Sequence, residues 1–175
     1  MSAPVPGLAS ARPDQAALDP ATFTELFRGH PAGVAVVTLH DGGRPAGFTA
    51  TSVISVSADP AVVAFSVSST SSCWPALTRA DRVAINLLAE EQRDLAATFA
   101  TPGVDRFADA DWHRLPTGEP VLVGTAGWIS GRITARVEAG SSHLVVVAAS
   151  SASVAPREPL VYRNRGYHRL IEYEI

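Results

Sequence analysis

Residues 47 to 57 read Gly-Phe-Thr-Ala-Thr-Ser-Val-Ile-Ser-Val-Ser, a stretch in which apolar and hydroxyl side chains alternate. Successive side chains of a β-strand point to opposite faces, so this alternation predicts a strand. One of its faces is apolar and carries Phe48, Ala50, Ile54 and Val56. The other face carries the hydroxyl groups of Thr49, Thr51, Ser55 and Ser57.

The segments on either side extend this pattern. A β-branched run at 34–39 is followed by Asp41, Gly42 and Gly43, which predicts a hairpin with the strand at 47–57. Further strands are predicted at 62–67, 83–88, 127–138, 143–149, 159–162 and 167–171. Short helices are predicted at 22–28, 74–79 and 90–100. We therefore expect a mainly β fold with short helices, arranged as a closed or nearly closed antiparallel barrel.

The length of 175 residues fits a single domain, for which we expect the bounds 21–175. Residues 1–20 are rich in Pro and Ala without an apolar period, and we interpret them as a flexible N-terminal arm. No apolar run approaches the roughly 20 residues of a membrane-spanning helix, and the N-terminus lacks a signal-peptide pattern. The expected location is the cytoplasm.

Charge and motifs exclude several functions. The net charge is −3, and the 14 basic residues are all Arg and are scattered, so we expect no nucleic-acid partner. The five His and one Cys show no metal-ligand spacing. Neither a nucleophile elbow, a Rossmann glycine fingerprint nor a P-loop is present.

Residues 66–72 read Ser-Val-Ser-Ser-Thr-Ser-Ser and lead into the predicted helix at 74–79. Hydroxyl groups and free backbone amides at such a position can cradle an anion. The alternative interpretation is a flexible serine linker or a doubled helix cap.

These segments, in their order, resemble the flavin reductase family that supplies reduced flavin to two-component monooxygenases. The likeness extends from about residue 23 to residue 170. Its matching stretches are His30-Pro31-Ala32-Gly33-Val34-Ala35-Val36-Val37-Thr38, Gly47-Phe48-Thr49-Ala50-Thr51-Ser52, Asp59-Pro60, Ser71-Ser72 before Trp74, Ala84-Ile85-Asn86-Leu87-Leu88, Phe99-Ala100, Asp105-Arg106-Phe107 and Pro159-Leu160-Val161-Tyr162.

The resemblance implies a six-stranded antiparallel split β-barrel of Greek-key type that works as a homodimer. It also implies an NAD(P)H:flavin oxidoreductase, with FAD or FMN as cofactor, NADH or NADPH as co-substrate and a flavin-dependent monooxygenase as partner. No protein side chain is expected to act in the hydride transfer itself. The implied cofactor-binding residues are Thr49, Ala50, Thr51 and Ser52 along the flavin ring, Ser66, Ser69, Ser71 and Ser72 at its phosphate, and Arg106 and Phe107 closing over the site.

One stretch departs from the family pattern. Family members generally carry Gly-Asp-His before the penultimate barrel strand, where this chain has Gly140-Ser141-Ser142-His143. The retained His143, with Tyr167 as a second wall, is implied to bind NADH. The altered stretch leaves two alternatives open. One is a flavin-binding protein without reductase activity, and the other is an oxidoreductase that keeps its flavin tightly bound and acts directly on an organic substrate.

Overall fold

A computed structural model describes residues 17–171 and residue 173 of the chain. Its α-helices are α1 (Pro20–Gly29), α2 (Trp74–Arg79) and α3 (Arg93–Ala100), and a 3-10 turn at Glu90–Gln92 precedes α3. Its strands are β1 (Ala32–Gly33), β2 (Ala35–Asp41), β3 (Arg44–Ala50), β4 (Ile54–Ala58), β5 (Ala61–Ser68), β6 (Arg82–Leu87), β7 (Trp112–Arg114), β8 (Pro120–Leu122), β9 (Gly127–Ala139), β10 (Ser142–Val154), β11 (Val161–Arg163) and β12 (Gly166–His168). The mainly β fold with short helices is confirmed. None of the described helices has the length and apolar character to cross a membrane.

The N-terminal helix begins earlier than predicted. Asp19 caps α1 by accepting a hydrogen bond from the Thr22 backbone N–H at 3.0 Å, and Pro20 occupies the first turn. Of the predicted arm, residues 1–16 lie outside the described residues. No residue of α1 is buried within the described chain, so this helix leaves its apolar face without a partner.

Seven strands form one antiparallel sheet in the order β3-β2-β6-β9-β10-β5-β4. The predicted six-stranded barrel is therefore corrected to a seven-stranded sheet, and within the described residues its edge strands β3 and β4 are not paired with each other. The correction arises at the stretch predicted as one strand over 47–57. That strand ends at Ala50 and resumes at Ile54, and its two halves lie on opposite edges of the sheet.

The short link 51–53 fixes the shape of the sheet. If seven strands lay flat, the edge strands would be about 29 Å apart, because neighbouring strands are spaced about 4.8 Å. Four Cα-to-Cα steps lead from Ala50 to Ile54, and they span at most about 15 Å. The sheet must therefore curl until its two edges approach each other.

Ser52 fastens this junction through its side chain. If the pairing of Ile54 with Ala64 continued, Ser52 would lie opposite Ser66 on β5. The Ser66 backbone N–H donates to Ser52 Oγ at 3.0 Å, and Ser52 Oγ donates to the Ser66 carbonyl at 3.1 Å. The Ser52 hydroxyl thus replaces two backbone hydrogen bonds of the strand ladder, at the point where the link no longer pairs with β5.

The curled sheet separates two apolar cores. The inner core is filled by side chains such as Val37, Phe65 and Val145, and α2 closes it with Leu77. The outer core, with Val36 and Phe99, lies between the opposite face of β2 and the helix α3. Because β2 contributes to both cores, its Ala35–Leu39 segment is buried on both faces.

A buried polar network fastens β8 to the sheet. Asn86 Nδ2 donates to Thr38 Oγ1 at 3.0 Å, and Asn86 Oδ1 accepts from the Leu122 backbone N–H at 2.9 Å. Beside them Glu119, 2 % exposed, pairs with Arg82 at 2.5 Å and accepts from Ser130 Oγ at 2.8 Å. These contacts position the β7–β8 hairpin over the outer face.

The pair of Glu119 and Arg82 predicts a pH-dependent stability. Burial by itself raises the pKa of Glu119, but hydrogen bonds from Thr117, the Glu119 backbone, Ser130 and Arg82 outweigh it and lower the pKa below its usual 4.5. A group with a lowered pKa stabilises the fold above its unfolded-state pKa and loses that contribution as the pH falls through its folded-state pKa. We expect Glu119→Gln to reduce the free energy of unfolding at pH 7 by about 3 kcal/mol.

The measurement is urea unfolding between pH 3 and pH 7. The difference between wild type and Glu119→Gln should shrink below pH 4.5, whereas the exposed Glu138→Gln should change little at any pH. A constant difference over the whole range would contradict the account of Glu119.

Candidate functional site

A cavity of about 890 Å³ opens beside the junction of the two sheet edges. This volume lies within the range of about 300–1,000 Å³ that is typical of small-molecule sites. Its wall is built from four parts of the chain: α1 and the residues after it up to Gly33, residues 51–54, Ser66 of β5, and residues 162–165 of the β11–β12 hairpin. The cavity therefore lies where the curl brings the two edges together, since residues 51–53 of its wall are the link between them.

One side of the cavity combines hydroxyl and apolar groups. Thr51, Ser52 and Ser66 contribute hydroxyls, and Val53 and Ile54 contribute apolar surface. The Ser52 hydroxyl is held by its two bonds to Ser66, so this side is rigid. Such a surface can contact a flat ring by its face and hydrogen-bond the heteroatoms at its edge.

Thr49 and Ala50, predicted beside the ring, do not line this cavity. Thr49 Oγ1 donates to the Ala96 carbonyl of α3 at 2.6 Å, and Ala50 belongs to the inner core. Both residues belong to β3, where successive side chains point to opposite faces of the sheet, so Thr49 points to α3 and Ala50 to the inner core. Thr51 is the first residue of the link and follows the last residue of β3.

The serine-rich stretch is divided by the structure. Ser66 lines the cavity, while Ser69, Ser71 and Ser72 lie in the loop that leads to α2. Ser71 Oγ accepts from the Cys73 backbone N–H at 3.3 Å. The helix cap is Cys73 rather than Ser71 or Ser72, and it makes no side-chain capping bond.

Arg106 and Phe107 brace the loop after α3 and are not among the residues that line the cavity. Arg106 donates to the Gly47 carbonyl at 2.7 Å and to the Thr101 carbonyl at 3.1 Å, tying the loop after α3 to β3. The Phe107 ring packs edge-on against Phe99, with the ring centres 4.9 Å apart. Arg106 Nη2 also lies 3.5 Å from Ser72 Oγ, and the closure of Arg106 and Phe107 over a bound flavin stays a prediction.

His143 and Tyr167 lie on different sheets. The His143 ring stacks on Trp74 with the ring centres 3.8 Å apart, and its Nδ1 lies 3.3 Å from Ser69 Oγ. Tyr167 packs against Tyr162 at 5.3 Å, and burial together with Tyr162 raises the pKa of its hydroxyl. Tyr162 lines the cavity and Tyr167 packs behind it.

The sequence analysis missed the basic wall of the cavity. Arg28, Arg163 and Arg165 line it, together with His30, and no Asp or Glu does so among the described residues. Arg28 precedes the hairpin by about 135 positions, so no local pattern connects these residues. Only the pair of arginines around Asn164 carries a signal visible in the sequence.

Comparison with known proteins gives consistent matches. The sequence model of the flavin reductase like domain matches residues 27–170. An NADH:FMN oxidoreductase of Rhodococcus qingshengii is 42% identical over 153 residues, 84% of this chain and 80% of that protein. The reductase subunit HsaB of a flavin-dependent monooxygenase from Rhodococcus jostii (strain RHA1) is 33% identical over 158 residues, 89% of this chain and 80% of that protein.

A solved structure has the same fold. The NADH:FAD oxidoreductase SgcE6 of Streptomyces globisporus C-1027, in complex with NAD and FAD fragments, superimposes with a TM-score of 0.82 at 28% identity. The match covers 90% of this chain and 98% of that one. With the domain match spanning residues 27–170, these likenesses show that the chain belongs to the flavin reductase like domain family.

Proposed function

We propose that this protein is an NADH-dependent flavin reductase that reduces FAD or FMN and supplies the reduced flavin to a partner flavin-dependent monooxygenase. The observation that carries the proposal is the cavity of about 890 Å³ at the sheet junction, in a chain of this family. The names of the relatives support both halves of it, since one is an NADH:FMN oxidoreductase and another is the reductase subunit of a monooxygenase.

The residues of the cavity fit a flavin. A flavin ring has apolar faces and a polar edge, and Val53 and Ile54 beside the hydroxyls of Thr51, Ser52 and Ser66 offer both kinds of contact. A phosphate requires hydrogen-bond donors or cations. We keep Ser69, Ser71 and Ser72 as proposed phosphate ligands, because their loop follows the end of β5 at Ser68, two residues after Ser66 of the cavity wall.

The chain's own contribution is binding, orientation and exclusion of water. When bound, the flavin supplies the acceptor for the hydride of NADH. Among the described residues of the cavity no carboxylate is present, and no acid or base is needed at a direct hydride transfer. The rigid Ser52–Ser66 contact would fix one plane, against which two rings can be held at reacting distance.

His143 and Tyr167 remain the proposed NADH-binding residues. The His143 ring is half-buried on Trp74 beside the serine loop, at the rim of the sheet. Thr49, Ala50, Arg106 and Phe107 also remain proposed flavin-binding residues, although they do not line the cavity. A cytoplasmic location, an arm at 1–20 and a single flavin-binding domain at 21–175 stay predictions from the sequence.

The function is tested by mixing the protein with NADH and either FAD or FMN in air and following absorbance at 340 nm. We expect flavin-dependent NADH oxidation by the wild type. Flavin binding without oxidation would support the alternative of a flavin-binding protein without reductase activity. A protein that stays yellow after extensive dialysis would support tight flavin and direct action on an organic substrate.

In the same assay, His143→Ala should raise the KM for NADH several-fold, with little change in the affinity for flavin. This is the pattern expected when binding of the co-substrate alone is lost. The exposed His113→Ala is the matched control and should leave both values unchanged. An unaltered KM combined with a lost flavin affinity would place His143 at the flavin instead.

We also predict a homodimer. The apolar side chains of α1 are unpartnered in one chain, with Phe23 51%, Leu26 69% and Phe27 54% exposed. A second copy could bury this face and cover the cavity beside it. Light scattering at micromolar concentration should give twice the 18.3 kDa of one chain, and Leu26→Glu should shift the mass toward the monomer. Glu25→Gln on the same helix should not, and a monomeric wild type would refute the prediction.

A further inference from the structure

The turn between β11 and β12 has an unusual residue in a left-handed conformation. Asn164 has φ 51° and Arg165 has φ 60°. Two-residue hairpin turns of this kind favour Asn followed by Gly, because Gly alone adopts positive φ without steric cost. The chain places an arginine where glycine would be more stable, so the guanidinium is the feature that needs an explanation.

The same turn is locked to the end of α1. The Asn164 backbone N–H donates to the Arg28 carbonyl at 2.8 Å. Arg163 Nε donates to the Gly29 carbonyl at 3.1 Å, which uses only one of its five N–H groups. These two bonds hold Arg28, Arg163 and Arg165 together on one wall of the cavity.

The charge of this wall is uncompensated. No acidic residue lines the cavity among the described residues, although the whole chain has more acidic than basic residues. The ion pairs found in the described part of the chain use other arginines, namely Arg79, Arg82, Arg93 and Arg169. Three arginines that line one cavity favour an anionic ligand there.

The chemistry of the wall favours a diphosphate joined to an aromatic base. Guanidinium groups bind phosphate oxygens bidentately, and a diphosphate can satisfy more than one of them. The rings of Phe27 and Tyr162 line the same cavity and offer surfaces on which a base can stack. The serine loop joins β5 to α2, and Ser69, Ser71 and Ser72 do not line this cavity.

We infer that Arg28, Arg163 and Arg165 form a binding site for an adenosine diphosphate group. The inference rests on the proposed function, because FAD and NADH each carry such a group. The arginine wall would hold the diphosphate, while residues 51–54 face the flavin ring across the cavity. FMN lacks the adenosine and its phosphate, and its own phosphate is assigned to Ser69, Ser71 and Ser72, so FMN would not use the wall.

The test is Arg165→Gly, which removes the guanidinium and gives the turn its preferred Asn-Gly sequence. The probe is ADP alone, titrated calorimetrically into the protein without flavin. The wild type should bind ADP, and Arg165→Gly should bind it about tenfold more weakly, the loss expected for one charge-assisted contact. Arg165→Lys should recover part of the affinity, and the exposed Arg44→Ala should not change it.

Two further measurements identify the source of the group. A higher KM for NADH in Arg165→Gly, with FAD and FMN bound as by the wild type, assigns the site to NADH. A weaker affinity for FAD, with that for FMN unchanged, assigns it to FAD. Equal ADP binding by wild type and Arg165→Gly, or no ADP binding by the wild type, overturns the inference. If the wild type binds ADP at this wall but oxidises no NADH, the ADP site is retained and the proposed function is refuted.

Discussion

The link of three residues between β3 and β4 is the constraint on which the rest of the structure depends. A seven-stranded sheet whose edge strands are joined by so short a segment cannot lie flat. Ser52 completes the junction, because its hydroxyl takes over both backbone bonds of Ser66. The curl encloses the inner core and leaves beside the junction the cavity that the proposed function requires.

The layers outside the sheet support its strands. β2 is buried on both faces, so α3 and the β7–β8 hairpin pack on a strand that cannot move independently of the inner core. The Arg82–Glu119 pair and the Asn86 network fasten the hairpin, and Arg106 ties the loop after α3 to Gly47 on β3. Rigid support of this kind is what orientation of two planar rings demands.

Local patterns predicted the parts of the structure that depend on near neighbours. The β2–β3 hairpin with its turn at Gly42 and Gly43 is confirmed. The division of 47–57 was missed although Ser52 and Val53 interrupt the alternation, because this interruption does not by itself show that the chain crosses to the opposite edge of the sheet. The pairing of β4 with β5 determines that crossing. The arginine wall was missed because it joins α1 to a hairpin near the end of the chain. The hydrogen bonds of Thr49 and Arg106 were missed because their acceptors are carbonyls of elements distant in the sequence.

The proposed function requires that the Ser52 junction builds the flavin site. Its most direct test is a fluorescence titration of FMN into wild type, Ser52→Ala and Ser55→Ala, with the melting temperature measured on the same samples. Loss of the contact with Ser66 should weaken FMN binding about fivefold, corresponding to roughly 1 kcal/mol for a hydrogen bond. The exposed Ser55 on β4 should be replaceable without effect. FMN binding by Ser52→Ala that equals that of the wild type, in a protein that remains folded, would contradict the account.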